Sequence, residues 1–387
     1  MTAAGRVVVV GAGVTGASVA WHLLQAGVKD VVVIDRGVSA GLGSTAAATG
    51  GFRAQFSSAV NVRLSLLARE KLRRFREEVG ADPGYVPAGY LWLASSPASL
   101  ESLRAARRTQ EACGLPEAVE LDVEDIPRLQ PAASLTGILG GAFCPTDGYV
   151  VPMAILEGYL EAAKRGGARL LVERRPERFD RSADGLVCAV VTGQEEIGCD
   201  AVVLATGAWT AGVAALAGAS VPISPLRRQV GMTVPTPALP PGAPMTIWCD
   251  DGFHVRPRDG RILLAFPSPG DPGDPWSVAV EPAWLAEVAA RKDARLPRLA
   301  GIPIDPAACW AGLYEMTPDR HAILGAVADC PNVIVVAGSS GHGVMHAPAL
   351  GQLAAEIVTT GAARSLDVHA LRPERFAEGA PNPLEPL

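Results

Sequence analysis

The fold is decided by one stretch near the amino terminus, Arg6–Arg36, which reads RVVVVGAGVTGASVAWHLLQAGVKDVVVIDR. Within it, Val7–Val10 is an uninterrupted β-branched run, which is typical of a parallel strand buried on both faces. Gly11, Gly13 and Gly16 follow as a GxGxxG turn. These glycines permit a tight turn, a close approach of backbone to a pyrophosphate, and close packing of the next helix on the strand.

The rest of the stretch supplies the context that a glycine-rich turn needs before it indicates a nucleotide. Ala17–Ala26 predicts a helix whose N-terminal N–H groups and dipole favour a phosphate. Val31–Ile34 predicts the next buried strand, and Asp35 follows it where a ribose hydroxyl needs an acceptor. An acid at this position argues against a 2′-phosphate, so the stretch predicts FAD or NAD rather than NADP.

The composition of the 387 residues is that of a globular protein, with 49% apolar and 19% charged residues. A net charge of -6 gives no support for nucleic-acid binding. The seven cysteines form no CxxC pair, which argues against a disulfide framework or a metal site and for a reducing compartment. Two long uncharged stretches, 201–226 and 332–355, are broken by Gly, Thr, Ser or Pro, and predict buried units rather than membrane spans. We expect a soluble, cytoplasmic protein without a signal peptide.

The α/β pattern of the first stretch returns twice along the chain, separated by β-rich sequence. The pattern predicts one nucleotide-binding domain that is interrupted by one substrate (cap) domain. Segments 1–84, 151–220 and 311–372 are assigned to the nucleotide-binding domain, and segments 85–150 and 221–310 to the substrate domain. A tail, 373–387, is rich in proline and charge, and we expect it to be loosely ordered.

A loop of small residues, Gly37–Gly51, follows the second strand. So much glycine and alanine indicates either backbone that lies close to a flat ligand or a mobile loop. Arg53 leaves this loop beside the nucleotide and is a candidate anchor for a carboxylate, the alternative being an ordinary surface arginine. A later buried strand ends at Ala205-Thr206-Gly207, where glycine again lets backbone approach a ligand.

Six ordered motifs resemble the sarcosine oxidase/D-amino acid oxidase superfamily of FAD-dependent amine oxidoreductases. They are VVVVGAGVTGASVAWHL, GSTAAATGGFRAQF, DGYVVP, VVLATGAW, GLYEMTPDRHAILG and VAGSSGHGVMHAPALG, and they span essentially the whole chain. The chain is most similar to the branch with sarcosine oxidase β subunits, dimethylglycine-type enzymes and dye-linked L-proline dehydrogenase β subunits. The resemblance implies an α/β fold in which a Rossmann-like FAD-binding domain of the GR2 type is interrupted by an antiparallel, β-rich cap.

The resemblance also implies which residues hold an extended FAD. Those at the pyrophosphate, ribose and adenine are Gly11, Ala12, Gly13, Val14, Thr15, Gly16, Asp35, Arg36, Gly43, Ser44, Thr45 and Pro176, the last through its carbonyl. Those along the isoalloxazine and in the second FAD motif are Thr49, Gly50, Gly51, Ala205, Thr206, Gly207, Trp209 and Gly312. The turn before the last helix adds Gly338, Gly341, His342, Gly343, Val344 and Met345. The dipole of that helix would stabilise the reduced flavin.

The same resemblance points to four residues at the substrate, with Arg256 as a further candidate for the pocket wall. Arg53 occupies the position of an arginine that binds the substrate carboxylate, a bidentate task that suits guanidinium. Tyr314 falls where an aromatic ring near the substrate is expected. His342 lies near the flavin, either as a catalytic group or as a structural histidine that braces the turn. His254 and Arg256 on a cap strand are candidates for the pocket wall, the alternative being ordinary exposed residues.

The implied activity is oxidation of the C–N bond of a small secondary or N-methylated amino acid. Hydride-equivalent transfer to flavin N5 would give an imine that hydrolyses, and the candidate substrates are sarcosine, dimethylglycine, proline and D-amino acids. Gly312 stands where monomeric sarcosine oxidases carry the cysteine bonded to FAD, which predicts noncovalent FAD. Met345 likewise replaces a lysine that shares the substrate carboxylate.

One further departure concerns oxygen. No lysine occurs between Lys164 and Lys292, where monomeric oxidases place a lysine over the flavin to activate oxygen. This departure favours a dehydrogenase with a non-oxygen acceptor over an oxidase that produces hydrogen peroxide. An FAD-bound subunit or assembly factor is the alternative outside enzymes. The electron acceptor, a partner subunit and the oligomeric state stay open.

Overall fold

The computed structural model describes residues 5–267 and 274–385. Its strands are β1 Arg6–Val10, β2 Asp30–Ile34, β3 Gly51–Phe52, β4 Tyr90–Ala94, β5 Val119–Leu121, β6 Gly140–Cys144, β7 Gly148–Tyr149, β8 Arg169–Leu171, β9 Pro176–Arg181, β10 Val187–Thr192, β11 Glu196–Gly198, β12 Ala201–Leu204, β13 Ser224–Met232, β14 Met245–Trp248, β15 His254–Arg258, β16 Arg261–Ala265, β17 Trp310–Met316, β18 Ile323–Val327 and β19 Cys330–Ala337. Its α-helices are α1 Val14–Gln25, α2 Ser44–Ala47, α3 Ala59–Arg73, α4 Phe75–Glu78, α5 Pro97–Ala112, α6 Ile126–Leu129, α7 Pro152–Arg165, α8 Thr210–Leu216, α9 Pro282–Arg295 and α10 Gly343–Thr360.

A six-stranded sheet carries the nucleotide-type motif, with strand order β18-β19-β12-β1-β2-β8. β1 lies inside this sheet and pairs in parallel with β2 on one side and with β12 on the other. Val7 and Val9 pack into one apolar cluster with α1, α7 and α10, whereas Val8 and Val10 pack into a second cluster on the opposite face. Burial on both faces is the physical reason for the uninterrupted valine run.

The second large sheet has eight strands in the order β17-β13-β16-β15-β14-β4-β6-β5. Its pairings are antiparallel except for β14 with β4, which run in parallel. The predicted fold class, an α/β nucleotide-binding part interrupted by β-rich antiparallel sequence, is thereby confirmed. The residue boundaries between the two parts stay predictions.

Helices α1 and α10 pack against each other at backbone distance. A Cβ atom at Gly351 would collide with the Ser18 hydroxyl and lie 2.7 Å from the Ser18 carbonyl carbon. Gly16, the third glycine of the motif, is equally constrained, because a Cβ there would collide with the Gly11 carbonyl oxygen. The third glycine therefore serves helix packing, as its position in the motif predicts.

The described part of the tail, 373–385, is held by buried charged residues, so the expectation of a loosely ordered tail is wrong for the residues described. Arg375 is fully buried and forms two hydrogen bonds to the Asp319 carboxylate, at 2.8 and 3.0 Å. Glu385 is also buried, and its carboxylate accepts hydrogen bonds from the backbone N–H groups of Ser57 and Ser58 at the start of α3. The composition of the tail does not predict that Arg375 and Glu385 are buried, because the partners of both residues lie far away in the sequence.

In the part of the chain that the structure covers, no helix is both long enough and apolar enough to cross a membrane.

Candidate functional site

An elongated cavity of about 630 Å³ runs from the six-stranded sheet to the eight-stranded sheet. At one end it is lined by residues that follow β1, β2 and β12, including Gly11, Asp35 and Ala205. At the other end it is lined by side chains of the second sheet, including Trp92 and His254. Residues at the carboxyl ends of parallel strands form the usual ligand crevice of such sheets.

Two helices begin at the cavity with N-cap residues whose own side chains form no capping hydrogen bond. The N-cap of α1 is Gly13 and that of α10 is His342, and neither helix has an acidic residue in its first turn. The N–H groups of a first helical turn lack intrahelical partners, and the helix dipole attracts negative charge there. The cavity therefore offers two separate sites for negative charge, one at each helix.

This arrangement fits FAD, which carries a pyrophosphate and, when reduced, a negative charge on its ring. At the α1 end, both oxygens of Asp35 accept backbone hydrogen bonds of 2.7 Å, from Ala12 and from Gly37. These bonds fix the carboxylate at the cavity wall with lone pairs left for a ribose hydroxyl. Thr45 accepts a hydrogen bond from the N–H of Val14, which ties the small-residue loop to the start of α1.

Most residues predicted for the cofactor line this cavity. They are Gly11, Gly13, Val14, Thr15, Asp35, Arg36, Gly43, Ser44, Thr45, Thr49, Gly50, Gly51, Pro176, Ala205, Thr206, Gly207, Trp209, Gly312, Gly341, His342, Gly343, Val344 and Met345. Ala12, Gly16 and Gly338 do not line it. Gly338 has a φ of +75°, and a Cβ there would lie 2.5 Å from the Thr317 methyl group, so that this glycine serves packing.

An aromatic stack joins the two parts of the chain beside the cavity. The Trp209 ring lies parallel to the Trp276 ring, with 5.4 Å between their centroids and 21° between their planes. The guanidinium of Arg36 lies over the Trp209 ring, with its Cζ 3.9 Å from the centroid. This position agrees with the expectation that Arg36 and Trp209 lie near the cofactor.

Arg53 is buried at the other end of the cavity, with 6% of its surface exposed. Its Nη2 lies 3.0 Å from His342 Nε2, and its Cζ lies 4.4 Å from the Phe56 ring centroid and 4.8 Å from that of Trp92. Within residues 5–267 and 274–385 it forms no ion pair, and burial lowers the pKa of its guanidinium. A buried cation without a carboxylate partner is costly, so this position is suited to an anionic ligand.

His342 acts on the guanidinium as a hydrogen-bond acceptor. An arginine can only donate, so His342 Nε2 accepts from Arg53 and the ring proton resides on Nδ1. Burial and the nearby charge of Arg53 hold the pKa of His342 well below its usual range. The imidazole is therefore neutral and holds Arg53 in place, which corresponds to the structural alternative for this histidine.

A buried carboxyl group lies near Arg53. Asp147 is fully buried and accepts hydrogen bonds from the N–H groups of Ala54, at 2.7 Å, and Gln55, at 3.4 Å. Burial raises the pKa of Asp147 to about 7, although the charges of Arg53 and Arg69 oppose this rise. Asp147 thus supports the backbone next to Arg53, and near neutral pH it is only partly ionised.

Tyr314 and His254, the other two residues predicted at the substrate, also line the cavity. The Tyr314 ring packs so closely on Gly341 that a Cβ there would collide with it. His254 donates from Nδ1 to the Gly252 carbonyl at 2.9 Å, and burial lowers the pKa of its imidazole. Arg256 does not line the cavity, contrary to expectation, because it donates to the Thr49 carbonyl and lies over the Tyr149 ring.

Several residues that line the cavity were not identified from the sequence. Among them are Arg228 on β13, Trp92 on β4, Met245 on β14 and Glu315 on β17. Glu315 is tied to the turn before α10 by accepting from the N–H of Ser339 at 3.1 Å, and burial raises the pKa of its carboxyl group. For Arg228 the only signal in the sequence was the alternation of side chains along β13. Arg227 points away from the cavity and pairs with Glu281, whereas its neighbour Arg228 lines the cavity.

Comparison with protein families and curated proteins agrees with this geometry. The family model described as "FAD dependent oxidoreductase" (DAO) matches residues 6–357. A 4-methylaminobutanoate oxidase (formaldehyde-forming) from Paenarthrobacter nicotinovorans is 27% identical over 96% of this chain and 46% of its own length. The chain thus spans about half the length of that relative. A glycine oxidase from Bacillus licheniformis is 26% identical over 95% of this chain and 96% of its own length.

Among solved structures, the chain is similar to L-proline dehydrogenase from P. horikoshii. The two superpose with a TM-score of 0.90 over 99% of this chain and 100% of the other, at 28% sequence identity. A glycine oxidase from Geobacillus kaustophilus superposes with a TM-score of 0.82 over 96% of this chain and 98% of the other, at 24% identity. The fold is therefore shared along the whole chain, and not only in the nucleotide-binding motif.

Proposed function

The chain belongs to the DAO family of FAD-dependent oxidoreductases, and we propose that it oxidises the C–N bond of a small secondary or N-methylated amino acid. Membership confirms the resemblance found from the sequence and the choice of FAD over NAD. It also supports an enzyme that acts on an amino acid or amine over the alternative of an FAD-bound subunit or assembly factor. The substrate and the electron acceptor are the parts that remain a proposal.

The single observation that carries the proposal is Arg53, a buried guanidinium without a carboxylate partner in the described chain. Arg53 would bind the substrate carboxylate, and His342 would hold the guanidinium in place by accepting from it. The relatives support this role. Their names contain 4-methylaminobutanoate, glycine and L-proline, and each of these compounds carries an amine and a carboxylate. The N-methylated amine of the first is the nearest to the substrate proposed.

The charges around the cavity would set the protonation state of the substrate amine. Arg53, Arg228 and Arg256 each lower the pKa of His254, so positive potential extends over this end of the cavity. The same potential disfavours an ammonium group and favours the neutral amine, whose lone pair is needed for oxidation at the adjacent carbon. FAD supplies the two-electron acceptor when bound, and the protein mainly positions the substrate.

We further propose a dehydrogenase that passes electrons to an acceptor other than oxygen. In support, none of the cavity-lining residues in the described chain is a lysine. The glycine oxidase relatives favour the alternative, an oxidase that produces hydrogen peroxide. Slow reoxidation of the reduced enzyme in air would agree with a dehydrogenase, and fast reoxidation would establish the oxidase.

The test is an anaerobic titration of the holoenzyme with sarcosine, dimethylglycine, L-proline and a set of D-amino acids, followed by flavin absorbance. We expect one of the secondary or N-methylated amino acids to bleach the flavin. Arg53→Lys should raise the half-saturating concentration about a hundredfold, because lysine provides charge without the bidentate geometry. FAD content should stay unchanged, and Arg258→Lys, outside the cavity lining, is the matched control. Unaltered half-saturation in Arg53→Lys would remove Arg53 from the site.

A further inference from the structure

A second arginine faces the substrate end of the cavity. Arg228 lies on β13, and its partner across the β13–β17 ladder is Gly312, which also lines the cavity. Its Cζ lies 5.6 Å from the centroid of the Tyr314 ring. The place of a side chain at Gly312 is taken by Ala47, whose Cβ would lie 2.6 Å from a Cβ there, so Arg228 has no facing side chain on β17. The guanidinium is thus placed beside Tyr314, one of the residues expected at the substrate.

Arg228 has no partner that would explain its charge. Within the described residues its guanidinium forms neither an ion pair nor a hydrogen bond, and burial lowers its pKa. The preceding Arg227 contrasts with it, since Arg227 pairs with Glu281 and donates to the Ala279 carbonyl. A half-buried guanidinium that lines the cavity and donates to no acceptor in the described residues is available to an acceptor supplied from outside the chain.

Nearby acids do not supply that acceptor. Asp147 lies on the Arg53 side, where backbone N–H groups bind it. Glu315 is held by the turn before α10 and forms no ion pair with Arg228. His254 lies on the cavity wall, and its pKa is lowered by burial and also by the charges of Arg53 and Arg228. Two cations that have no carboxylate partner among the described residues therefore face one end of the cavity, and one substrate carboxylate can neutralise only one of them.

We propose that Arg228 binds a second anionic group of the substrate, which makes the substrate an N-substituted amino acid with two carboxylates. This inference rests on the proposed function, because it takes Arg53 as the anchor of the first carboxylate. Arg228 is then the specificity-determining residue of the site. It selects a dicarboxylate such as an N-carboxymethyl amino acid over the corresponding N-methyl compound.

Two matched pairs of compounds test this proposal. Iminodiacetate differs from sarcosine only by a carboxylate on the N-methyl carbon, and both are offered to the anaerobic holoenzyme as substrates. Thiodiacetate and methylthioacetate form the same pair with sulfur in place of nitrogen. The thioethers lack an amine to oxidise, so their dissociation constants are read from the change in flavin absorbance without turnover. We expect thiodiacetate to bind at least about tenfold more tightly than methylthioacetate.

The variants separate the charge of Arg228 from its bulk. In Arg228→Gln the preference for thiodiacetate over methylthioacetate should fall to about onefold. The reason is that thiodiacetate binds more weakly to this variant, while the binding of methylthioacetate is little changed. Arg228→Lys should restore part of the preference, and Arg258→Gln, outside the cavity lining, should keep all of it. Equal binding of the two thioethers to the wild-type enzyme, or an unaltered preference in Arg228→Gln, would overturn the proposal. Loss of FAD with an unaltered preference would assign Arg228 to the cofactor instead and would also overturn it.

Failure of the proposed function is distinguishable from failure of this inference. If neither sarcosine nor iminodiacetate nor any other amino acid bleaches the flavin, the proposed oxidation is wrong, while the thioether preference still decides on Arg228. If sarcosine bleaches the flavin at a lower concentration than iminodiacetate and the thioethers bind equally, the proposed function stands and the dicarboxylate inference falls.

Discussion

His342 is fixed by one hydrogen bond, and its chemistry follows from that bond. Its Nε2 accepts from the Arg53 guanidinium at 3.0 Å, and its pKa lies well below the usual range. A neutral acceptor of this kind orients a cation but does not take a proton from the substrate. We therefore propose that His342 is a positioning residue for Arg53.

This role predicts a separation of binding from rate in two His342 variants. In His342→Leu the acceptor is lost, and we expect the half-saturating substrate concentration to rise about tenfold while the rate of flavin reduction at saturation changes little. His342→Gln offers a carbonyl acceptor and should recover most of the affinity. Stopped-flow flavin reduction measures both quantities. A large fall in the saturated rate with unaltered half-saturation would instead assign His342 to the chemical step.

Asp147 predicts how stability depends on pH. Burial raises its pKa from 3.8 to about 7, so between these values the unfolded chain loses a proton that the folded chain keeps. Its contribution to stability is complete below pH 3.8 and is lost as the pH rises to about 7. The full loss is about 4 kcal/mol, from a difference of about 3 in pKa.

Asp147→Asn removes this titration. Relative to wild type, the free energy of unfolding of Asp147→Asn should be about 2–4 kcal/mol higher at pH 8 than at pH 5, as measured by urea unfolding. Asp305→Asn is the control, because the Asp305 carboxylate is bound by Arg261 and its pKa is lowered. The Asp305 difference between pH 5 and pH 8 should be close to zero, because this carboxyl group is ionised in both the folded and the unfolded chain over that range. A pH-independent difference for Asp147→Asn would mean that Asp147 is ionised throughout.

At the scale of elements, the contact between α1 and α10 determines where the two helix N-termini lie. Gly351→Ala would press a methyl group against the Ser18 backbone, so the helices must separate. We expect a loss of about 2–3 kcal/mol of stability, measured by urea unfolding. Gly212→Ala on α8 is the control, since its Cβ would meet no atom within 4 Å and should stabilise by up to about 1 kcal/mol. Equal stability of Gly351→Ala and wild type would show that the two helices accommodate the added methyl group without loss of packing.

How far the sequence predicts each element depends on how local its determinants are. The turn from β1 into α1 is set by neighbouring residues, so its glycines and Asp35 were identified correctly as cavity residues, apart from Gly16. Arg228 was missed because a strand residue reaches the cavity or the outside according to its register with β17, which no local pattern fixes. Burial of Arg256 against Tyr149 likewise depends on a partner more than one hundred residues away.

At the scale of the whole molecule, the chain end is tied to the middle of the fold. Glu385 accepts from the backbone of Ser57 and Ser58, 328 and 327 residues earlier in sequence, and lies 3.9 Å from His321. These bonds satisfy the N–H groups at the start of α3, the helix that follows Arg53. The carboxylate of Glu385 also acts on Arg53, raising its pKa against the effect of burial.

Two truncations test this tie. A chain that ends at Leu384 should lose about 2–3 kcal/mol of stability relative to one that ends at Glu385, because buried N–H groups are left without an acceptor. The second truncation is the matched control, since it differs by one residue and keeps the bonded carboxylate. Thermal unfolding of the two holoenzymes provides the comparison. Equal unfolding temperatures would show that water replaces Glu385 at no cost.

The position of β1 within its sheet has a consequence for biosynthesis. β1 is made before its neighbour β12, which follows about 200 residues later in the chain, and before β18 and β19, which come after residue 322. During synthesis β1 therefore has no neighbouring strand on the β12 side until more than half of these residues have been made. The cofactor cavity also needs α10, which is made later still. FAD binding therefore follows the synthesis of α10 and cannot guide the earlier pairing of β1.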